Sequence, residues 1–230
     1  MVVEKEKDGF IYQTFDENGF INGNMTEIQE RLKKEVRADD IFVDLGAHIG
    51  TMSIPVIAAV RPRKSILVEA NPGVIPLLKA NVEKNLPGLD VEVVNAVICD
   101  RDEMVDFSIL TEKADSSSFV RQDIVDGGKK VQVQGMTLAR LLRDIQKDVY
   151  MKVDIECAEL LMFKGMGTKA KYIRGMVMEW FRSAISEENA KELLLQIYGA
   201  GFQIYTLDRH PMKLQQLMES TKDDILLERV

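Results

Sequence analysis

Acidic residues follow several apolar runs of this sequence, each at the point where a strand would end. The acids and the runs before them are Asp44 after 41–43, Glu69 after 64–68, Asp154 after 149–153 and Glu179 after 175–178. Parallel strands present their carboxyl ends at one edge of a sheet, and ligands bind there. We therefore expect Asp44, Glu69 and Asp154 to gather on one rim, where carboxylates can bind a cation or accept a proton.

A glycine-rich turn separates the first acid from a helix. Gly46 and Gly50 follow Asp44, and the apolar run 51–60 continues as a helix with Pro55 in its first turn. The spacing differs from the G-x-G-x-x-G pattern that holds a pyrophosphate, and an Asp before the glycines would repel a phosphate. The turn therefore favours a cationic ligand.

The segment 41–72 resembles the S-adenosylmethionine (SAM) site of Rossmann-like methyltransferases. Asp44, Gly46, Gly50 and Glu69 match that pattern, and Asn71 with the following proline matches directly after the acid. The resemblance implies that the glycine turn, including His48, passes the methionine part of SAM. It also implies that Glu69 holds the ribose and that Asn95 and Ala96, after the third strand, border the adenine. A turn-capping role for Asn95 is an equal alternative.

A second motif covers residues 152–159, Lys-Val-Asp-Ile-Glu-Cys-Ala-Glu. It resembles the Lys-x-Asp-x-Glu-Gly-Ala-Glu signature of the FkbM family of methyltransferases, and the likeness extends over residues 40–180. This sequence has His48 where the family commonly has Asn, and Cys157 where it has Gly. If that glycine needs a positive φ, Cys157 strains the turn.

The FkbM resemblance implies SAM-dependent O-methylation of a small-molecule or glycan hydroxyl. The enzyme must align the acceptor with the methyl group and help to remove its proton. We expect Asp154, Glu156 and Glu179 to be catalytic, and Lys152, on the strand face of Asp154, to neutralise a neighbouring acid. Glu156 and Glu159 could instead cap the next helix. Asp154, Glu156 and Glu179 could also hold a divalent cation, but we assign no metal.

Composition narrows the class of protein. The chain has 230 residues, 46% of them apolar, and a formal charge of −7, which suits one α/β domain and disfavours a nucleic acid partner. Two cysteines and two histidines do not form a disulfide framework or a His-rich zinc site. The charged N-terminus lacks a signal-peptide pattern, and no apolar run approaches the ~20 residues of a membrane span. We expect a cytoplasmic protein without membrane contact, and a homodimer is compatible with the sequence.

The predicted fold is α/β, a Rossmann-like class I methyltransferase with a central, mostly parallel seven-stranded sheet flanked by helices and with extra antiparallel strands. Residues 1–38 would form an N-terminal hairpin and helix, and residues 39–230 the methyltransferase domain. The hairpin would pair 10–12 with 20–21 around an Asn-Gly turn at 16–19. The polar segment 111–128 is long enough to be a functional loop or lid.

Two other functions remain open. The run 42–50, with the following Ser-Ile-Pro and the segment 69–72, also resembles the core of tRNA guanine methyltransferases. The third hypothesis is a protein that binds SAM but has lost catalysis. His48 and Cys157, which differ from the residues common in the FkbM family, would indicate that loss.

Overall fold

The structure is a computed structural model and describes residues 2–15, 26–109, 117–118, 128–221 and 223–229. The strands are β1 Val3–Lys7, β2 Phe10–Thr14, β3 Ile41–Leu45, β4 Lys64–Glu69, β5 Val91–Asn95, β6 Val97–Ile98, β7 Met104–Ile109, β8 Ser117–Ser118, β9 Lys129–Met136, β10 Val149–Val153, β11 Ile173–Trp180, β12 Phe202–Thr206 and β13 Asp223–Arg229. The helices are α1 Thr26–Glu35, α2 Ser53–Val60, α3 Ile75–Asn85, α4 Leu138–Leu141, α5 Glu159–Lys164, α6 Glu187–Gly199 and α7 Leu214–Glu219, with 3₁₀ turns at Gly167–Tyr172 and Arg182–Ala184.

A seven-stranded sheet forms the centre of the molecule, in the order β12-β13-β11-β10-β3-β4-β5. Its strands run parallel except β13, which is antiparallel to both of its neighbours. A smaller sheet, in the order β6-β9-β7-β8, contains the extra antiparallel strands. This is the sheet architecture that the sequence predicts.

Helices cover both faces of the large sheet, because β3 and β10 are buried along their whole length. One face of these strands, including Val43 and Met151, packs in a cluster with residues of α4, α5 and α6. The other face, including Phe42 and Tyr150, packs with residues of α1, α2 and α3. Alternation along the strands places Asp44 and Lys152 on this second face.

The N-terminal hairpin differs from the prediction. Strand β2 pairs with β1, and the turn between them is Asp8-Gly9, with φ of +53° and +82°. The sequence analysis overlooked Asp-Gly, which favours the same positive φ values as Asn-Gly, and the pairing of 10–12 with 20–21 stays a prediction. The predicted turn at 16–19 and residues 20–21 lie outside the described residues, as does most of the predicted loop 111–128.

The described helices include none that is long and apolar enough to span a membrane. The same part of the chain contains no group of three or more His, Cys, Asp or Glu residues that could hold a metal ion. The division at residues 38 and 39, the homodimer and the cytoplasmic location stay predictions.

Candidate active site

A cavity lies at the carboxyl ends of β3, β4 and β10, on the rim predicted from the acidic residues. Glu69 and Asp154 line it, and Asp44 lies beneath it at the end of β3. The residues around the cavity are Gly46, Ala47, His48, Thr51, Met52, Val68, Glu69, Ala70, Ala96, Val97, Ile98, Phe107, Lys152, Asp154, Ile155, Glu156 and Ala158.

The glycine turn forms one wall of this cavity. The backbone N–H groups of Gly46 and Ala47 both donate to the carbonyl of Val68, at 3.0 and 2.9 Å. Gly46 has a φ of +82°, and a Cβ added there would lie 1.8 Å from the carbonyl oxygen of Asp154. Only glycine therefore allows the turn to touch both β4 and the loop after β10.

Gly50 has a different role. A Cβ at this position would lie 2.8 Å from the side chain of Ile54 and 3.1 Å from that of Leu78. Gly50 thus allows close packing of the turn on α2 and α3, and it is not among the residues that line the cavity.

Glu69 is held by backbone donors from two turns. Its carboxylate accepts hydrogen bonds from the N–H of His48 at 2.9 Å and from the N–H of Asn71 at 2.7 Å. The side chain is largely buried, and burial raises the pKa of Glu69 against these hydrogen bonds. Each oxygen keeps a further lone pair with which it can accept from a ribose hydroxyl.

Asp44 and Lys152 form a buried ion pair below the cavity. They face each other in the register of β3 and β10, with 3.2 Å between Asp44 Oδ1 and Lys152 Nζ. The hydroxyl of Ser53 donates to the other oxygen of Asp44. Lys152 also donates to the carbonyl of Gly46 at 2.9 Å and lies 3.6 Å from Asp154 Oδ2. Burial alone would lower the pKa of Lys152, but Asp44 and Asp154 raise it above its ordinary value.

The loop after β10 carries the strain expected from its sequence. Glu156 and Cys157 both have left-handed backbones, with φ of +54° and +73°. Position 157 therefore needs the positive φ that glycine adopts easily, and Cys157 pays for it in strain. Glu159 closes the loop, because its Oε1 accepts from the N–H of Ile155 at 3.2 Å.

Burial sets the protonation of two further groups at this site. Burial, followed by the charges of Asp154 and Glu179, raises the pKa of Glu159 to about 8. His48 has a left-handed backbone with φ of +50° and lines the cavity. Burial and then the charge of Lys152 lower the pKa of His48 to about 4, so its ring is neutral at pH 7.

Three other predicted site residues lie outside the lining. The side-chain amide of Asn95 donates to the carbonyls of Glu69 and Ala70, at 2.9 and 3.0 Å, which is the turn-capping alternative. The side-chain oxygen of Asn71 accepts a hydrogen bond from the N–H of Gly73 at 2.9 Å and so caps the turn that follows β4. Glu179 lies at the end of β11 and contributes to the electrostatic environment of Lys152 and Glu159.

Sequence reasoning missed the apolar part of the lining. It named Ala96, but not the side chains that extend the same wall, which are Met52, Val97, Ile98 and Phe107. Phe107 comes from β7 of the small sheet, and nothing in its alternating strand pattern indicates a cavity. An apolar wall of this kind suits the faces of an adenine ring.

Comparison with protein families matches residues 15–123 to the TRM5/TYW2 methyltransferase domain, a little under half of the chain. Among solved structures, TYW2 of M. jannaschii in complex with AdoMet is 13% identical, with a TM-score of 0.54 over 100% of this chain and 87% of that one. A putative transferase, PH0793 of Pyrococcus horikoshii, is 12% identical, with a TM-score of 0.53 over 99% and 70% of the two chains. A tRNA m1G37 methyltransferase of M. jannaschii is 11% identical, with a TM-score of 0.52 over 99% and 56%. No curated protein matches the sequence at a significant level.

The chain has the class I methyltransferase fold. The Rossmann-like α/β fold predicted from the sequence is thereby confirmed. The match to a methyltransferase domain supports SAM as the cofactor. The enzyme class that these findings support is a SAM-dependent methyltransferase. These findings do not support the predicted O-methylation.

The assignment to the FkbM family is wrong, because the family that matches is the TRM5/TYW2 methyltransferase domain. The motif that suggested FkbM, residues 152–159, lies outside the matched segment. The prediction of a small-molecule or glycan hydroxyl as the acceptor depended on that assignment and is wrong for the same reason. The prediction that a nucleic acid partner is unlikely is wrong as well, because the family model that matches is the TRM5/TYW2 methyltransferase domain. That prediction used the net charge of −7, which reports on solubility and association but not on the acceptor in a site.

Proposed function

We propose that this methyltransferase transfers the methyl group of SAM to a base of tRNA. The observation that carries the proposal is the match of residues 15–123 to the TRM5/TYW2 methyltransferase domain, since that segment contains the glycine turn and Glu69. The fold shared with TYW2 and with the tRNA m1G37 methyltransferase supports the same proposal. This chain spans about half of the latter enzyme, so tRNA as the acceptor is part of the proposal.

The lining of the cavity fits SAM by its chemistry. Glu69 would accept hydrogen bonds from the ribose hydroxyls, and the apolar wall with Val97, Ile98 and Phe107 would hold the adenine. SAM supplies a methyl group already activated by its positive sulfur. Asp154 and Glu156 give this part of the cavity the negative charge that a sulfonium requires.

The acceptor half of the site would lie beyond β10. Asp154 and Glu156 line the cavity, and Glu179 follows on the neighbouring strand β11. A base nitrogen that carries a proton must lose it when it accepts a methyl group, and a positioned carboxylate can take that proton. We propose Asp154, Glu156 and Glu179 for this role, while the glycine turn and Glu69 position the cofactor.

The test is methyl transfer to RNA. The purified protein is incubated with SAM carrying a labelled methyl group and with bulk tRNA, and the digested tRNA is analysed by mass spectrometry. We expect label in one methylated nucleoside. Binding of SAM without label in any nucleoside would contradict tRNA as the acceptor.

Substitutions test the proposed catalytic carboxylates. Asp154→Asn and Glu156→Gln should each lower the rate of transfer by about 10²-fold or more, as expected for loss of a general base. Glu192→Gln is the matched control, because Glu192 pairs with Lys164 at the surface of α5 and α6, with 2.8 Å between them. A full rate in both site variants would remove those residues from the mechanism.

A further inference from the structure

Lys152 differs from the other charged groups at the cavity. It lines the cavity although it is only 6% exposed, and its charge is of the opposite sign to the acids around it. A buried ammonium is costly unless partners compensate for the lost water. Asp44 and the carbonyl of Gly46 provide two such partners, at 3.2 and 2.9 Å.

The ammonium of Lys152 keeps hydrogen-bonding capacity towards the cavity. It carries three N–H groups, of which Asp44 and Gly46 engage at most two. Asp154 Oδ2 is 3.6 Å away, beyond the distance of a hydrogen bond. Within the described residues, the remaining N–H therefore has no partner at hydrogen-bonding distance.

The charges around the cavity make Lys152 distinctive. The titratable residues of the described lining are Glu69, Asp154, Glu156, His48 and Lys152. The first three are acids, and burial keeps the ring of His48 neutral at pH 7. Lys152 is thus the cation available, among the described lining residues, to an anionic group inside the cavity.

SAM carries one such group, the carboxylate of its methionine part. Glu69, the proposed ribose ligand, ends β4, whereas Lys152 lies on β10, and β3 separates these strands. Adjacent strands are about 4.8 Å apart, so the backbones of β4 and β10 are about 10 Å apart. In SAM, too, the ribose and the amino-acid group lie on different sides of the sulfonium sulfur.

We propose that Lys152 binds the carboxylate of the methionine part of SAM, and that Asp44 holds the ammonium in place for this contact. This inference rests on the proposed function, because it takes SAM as the ligand. It assigns to Asp44 a positioning role beneath the cavity instead of direct contact with SAM.

The experiment compares SAM with decarboxylated SAM, which lacks this carboxylate, and uses methylthioadenosine as a third ligand. Calorimetry measures the affinity of the protein for SAM, for decarboxylated SAM and for methylthioadenosine, which lacks the amino-acid part altogether. The wild-type protein should prefer SAM to decarboxylated SAM by about tenfold or more, as expected for a charge-assisted hydrogen bond. Equal affinity for the two would overturn the role of Lys152 while leaving the proposed function intact.

The variant removes the buried pair as a unit. In Asp44→Asn with Lys152→Met no unpaired charge is left in the core, so the fold should persist, as thermal unfolding would show. Its preference for SAM over decarboxylated SAM should fall to about one, with methylthioadenosine binding retained. A preserved preference, or the loss of methylthioadenosine binding as well, would overturn the proposal, the second by showing that the pair only shapes the pocket.

A control variant and the binding of the wild-type protein separate failure of the Lys152 proposal from failure of the proposed function. Glu192→Gln with Lys164→Met removes an ion pair at the surface of α5 and α6 and should leave the ratio of affinities unchanged. If the wild-type protein binds none of the three adenosine ligands, the proposed function itself fails, and Lys152 loses its ligand.

Discussion

Gly46 is constrained in two independent ways at the centre of the site. Its φ of +82° is easily adopted only by glycine, and its missing Cβ makes room for the carbonyl oxygen of Asp154. Gly88 is a natural comparison, because its φ is +77° but nothing lies within 4 Å of a Cβ added there. The two positions therefore separate backbone strain from loss of space.

We expect Gly46→Ala to weaken SAM binding at least tenfold, because the 1.8 Å contact forces the turn away from the loop after β10. Gly88→Ala should cost about 1–2 kcal/mol of stability through strain alone and leave SAM affinity unchanged. Calorimetry with SAM and thermal unfolding measure the two effects. Equal SAM affinity in both variants would show that the contact between the turn and the loop is dispensable.

Glu159 predicts a specific dependence of stability on pH. Its pKa is about 8 in the folded protein and near 4.5 when unfolded, so its stabilising contribution is complete below pH 4.5 and is lost as the pH rises through 8. Glu159→Gln mimics the protonated form and should retain this contribution. Relative to the wild type, its free energy of unfolding should therefore increase by roughly 3–5 kcal/mol between pH 4.5 and pH 9.

Urea unfolding at several pH values tests this. A constant difference for Glu159→Gln over the same range would mean that Glu159 is ionised in the folded protein. Burial is the largest cause of the raised pKa of Glu159, and the charges of Asp154 and Glu179 raise it further.

At the scale of elements, helix α3 contacts the backbone of β2 through two asparagine side chains. Asn81 accepts from the N–H of Gln13 at 2.6 Å and donates to its carbonyl at 3.2 Å. One turn later, Asn85 makes the same pair of contacts with Ile11, at 2.9 and 2.7 Å. Asn81 also donates to the carbonyl of Ile49, so the N-terminal hairpin is tied to the glycine turn.

Asn81→Ala should lower the free energy of unfolding by about 2–3 kcal/mol, because Asn81 is fully buried and three backbone contacts lose their partner. Urea unfolding measures the loss, and hydrogen exchange should show faster exchange at Gln13. Asn85→Ala is the comparison, since Asn85 is only partly buried and has no contact with the glycine turn. An equal loss of stability in both variants would mean that the hydrogen bond from Asn81 to the glycine turn does not contribute to stability.

At the scale of the whole molecule, the proposed function requires an acidic protein to bind tRNA, which it would do through a local basic surface. Lys129 and Lys130 are exposed at the start of β9, where they pair in register with Ile109 and Ser108 of β7. The neighbouring residue Phe107 lines the cavity. These lysines are therefore placed to contact phosphates beside a base in the site.

Lys129→Gln with Lys130→Gln should weaken tRNA binding several-fold and reduce the slope of log affinity against log salt by about one to two. SAM affinity should not change. Lys33→Gln with Lys34→Gln, an adjacent pair in the last turn of α1, is the control and should leave the slope as it is. Fluorescence anisotropy with labelled tRNA measures affinity and slope, and equal slopes in both variants would exclude β9 from the interface.

Local sequence determined the frame of this protein. The apolar runs of β3 and β10 are long enough to be buried strands, so Asp44 and Asp154 had to lie at their carboxyl ends. Gly46 and Glu69 followed from the same local pattern. These features depend on neighbours in the chain, which a sequence displays directly.

Only the tertiary structure decided which of those residues line the cavity and which contact one another beneath it. The register of β3 against β10 sets Asp44 opposite Lys152, where the two form a buried ion pair although they are far apart in sequence. The small sheet brings Phe107 to the cavity, and α3 brings Asn81 to β2. Register and packing between distant segments are set by the whole core, so no local pattern could reveal them.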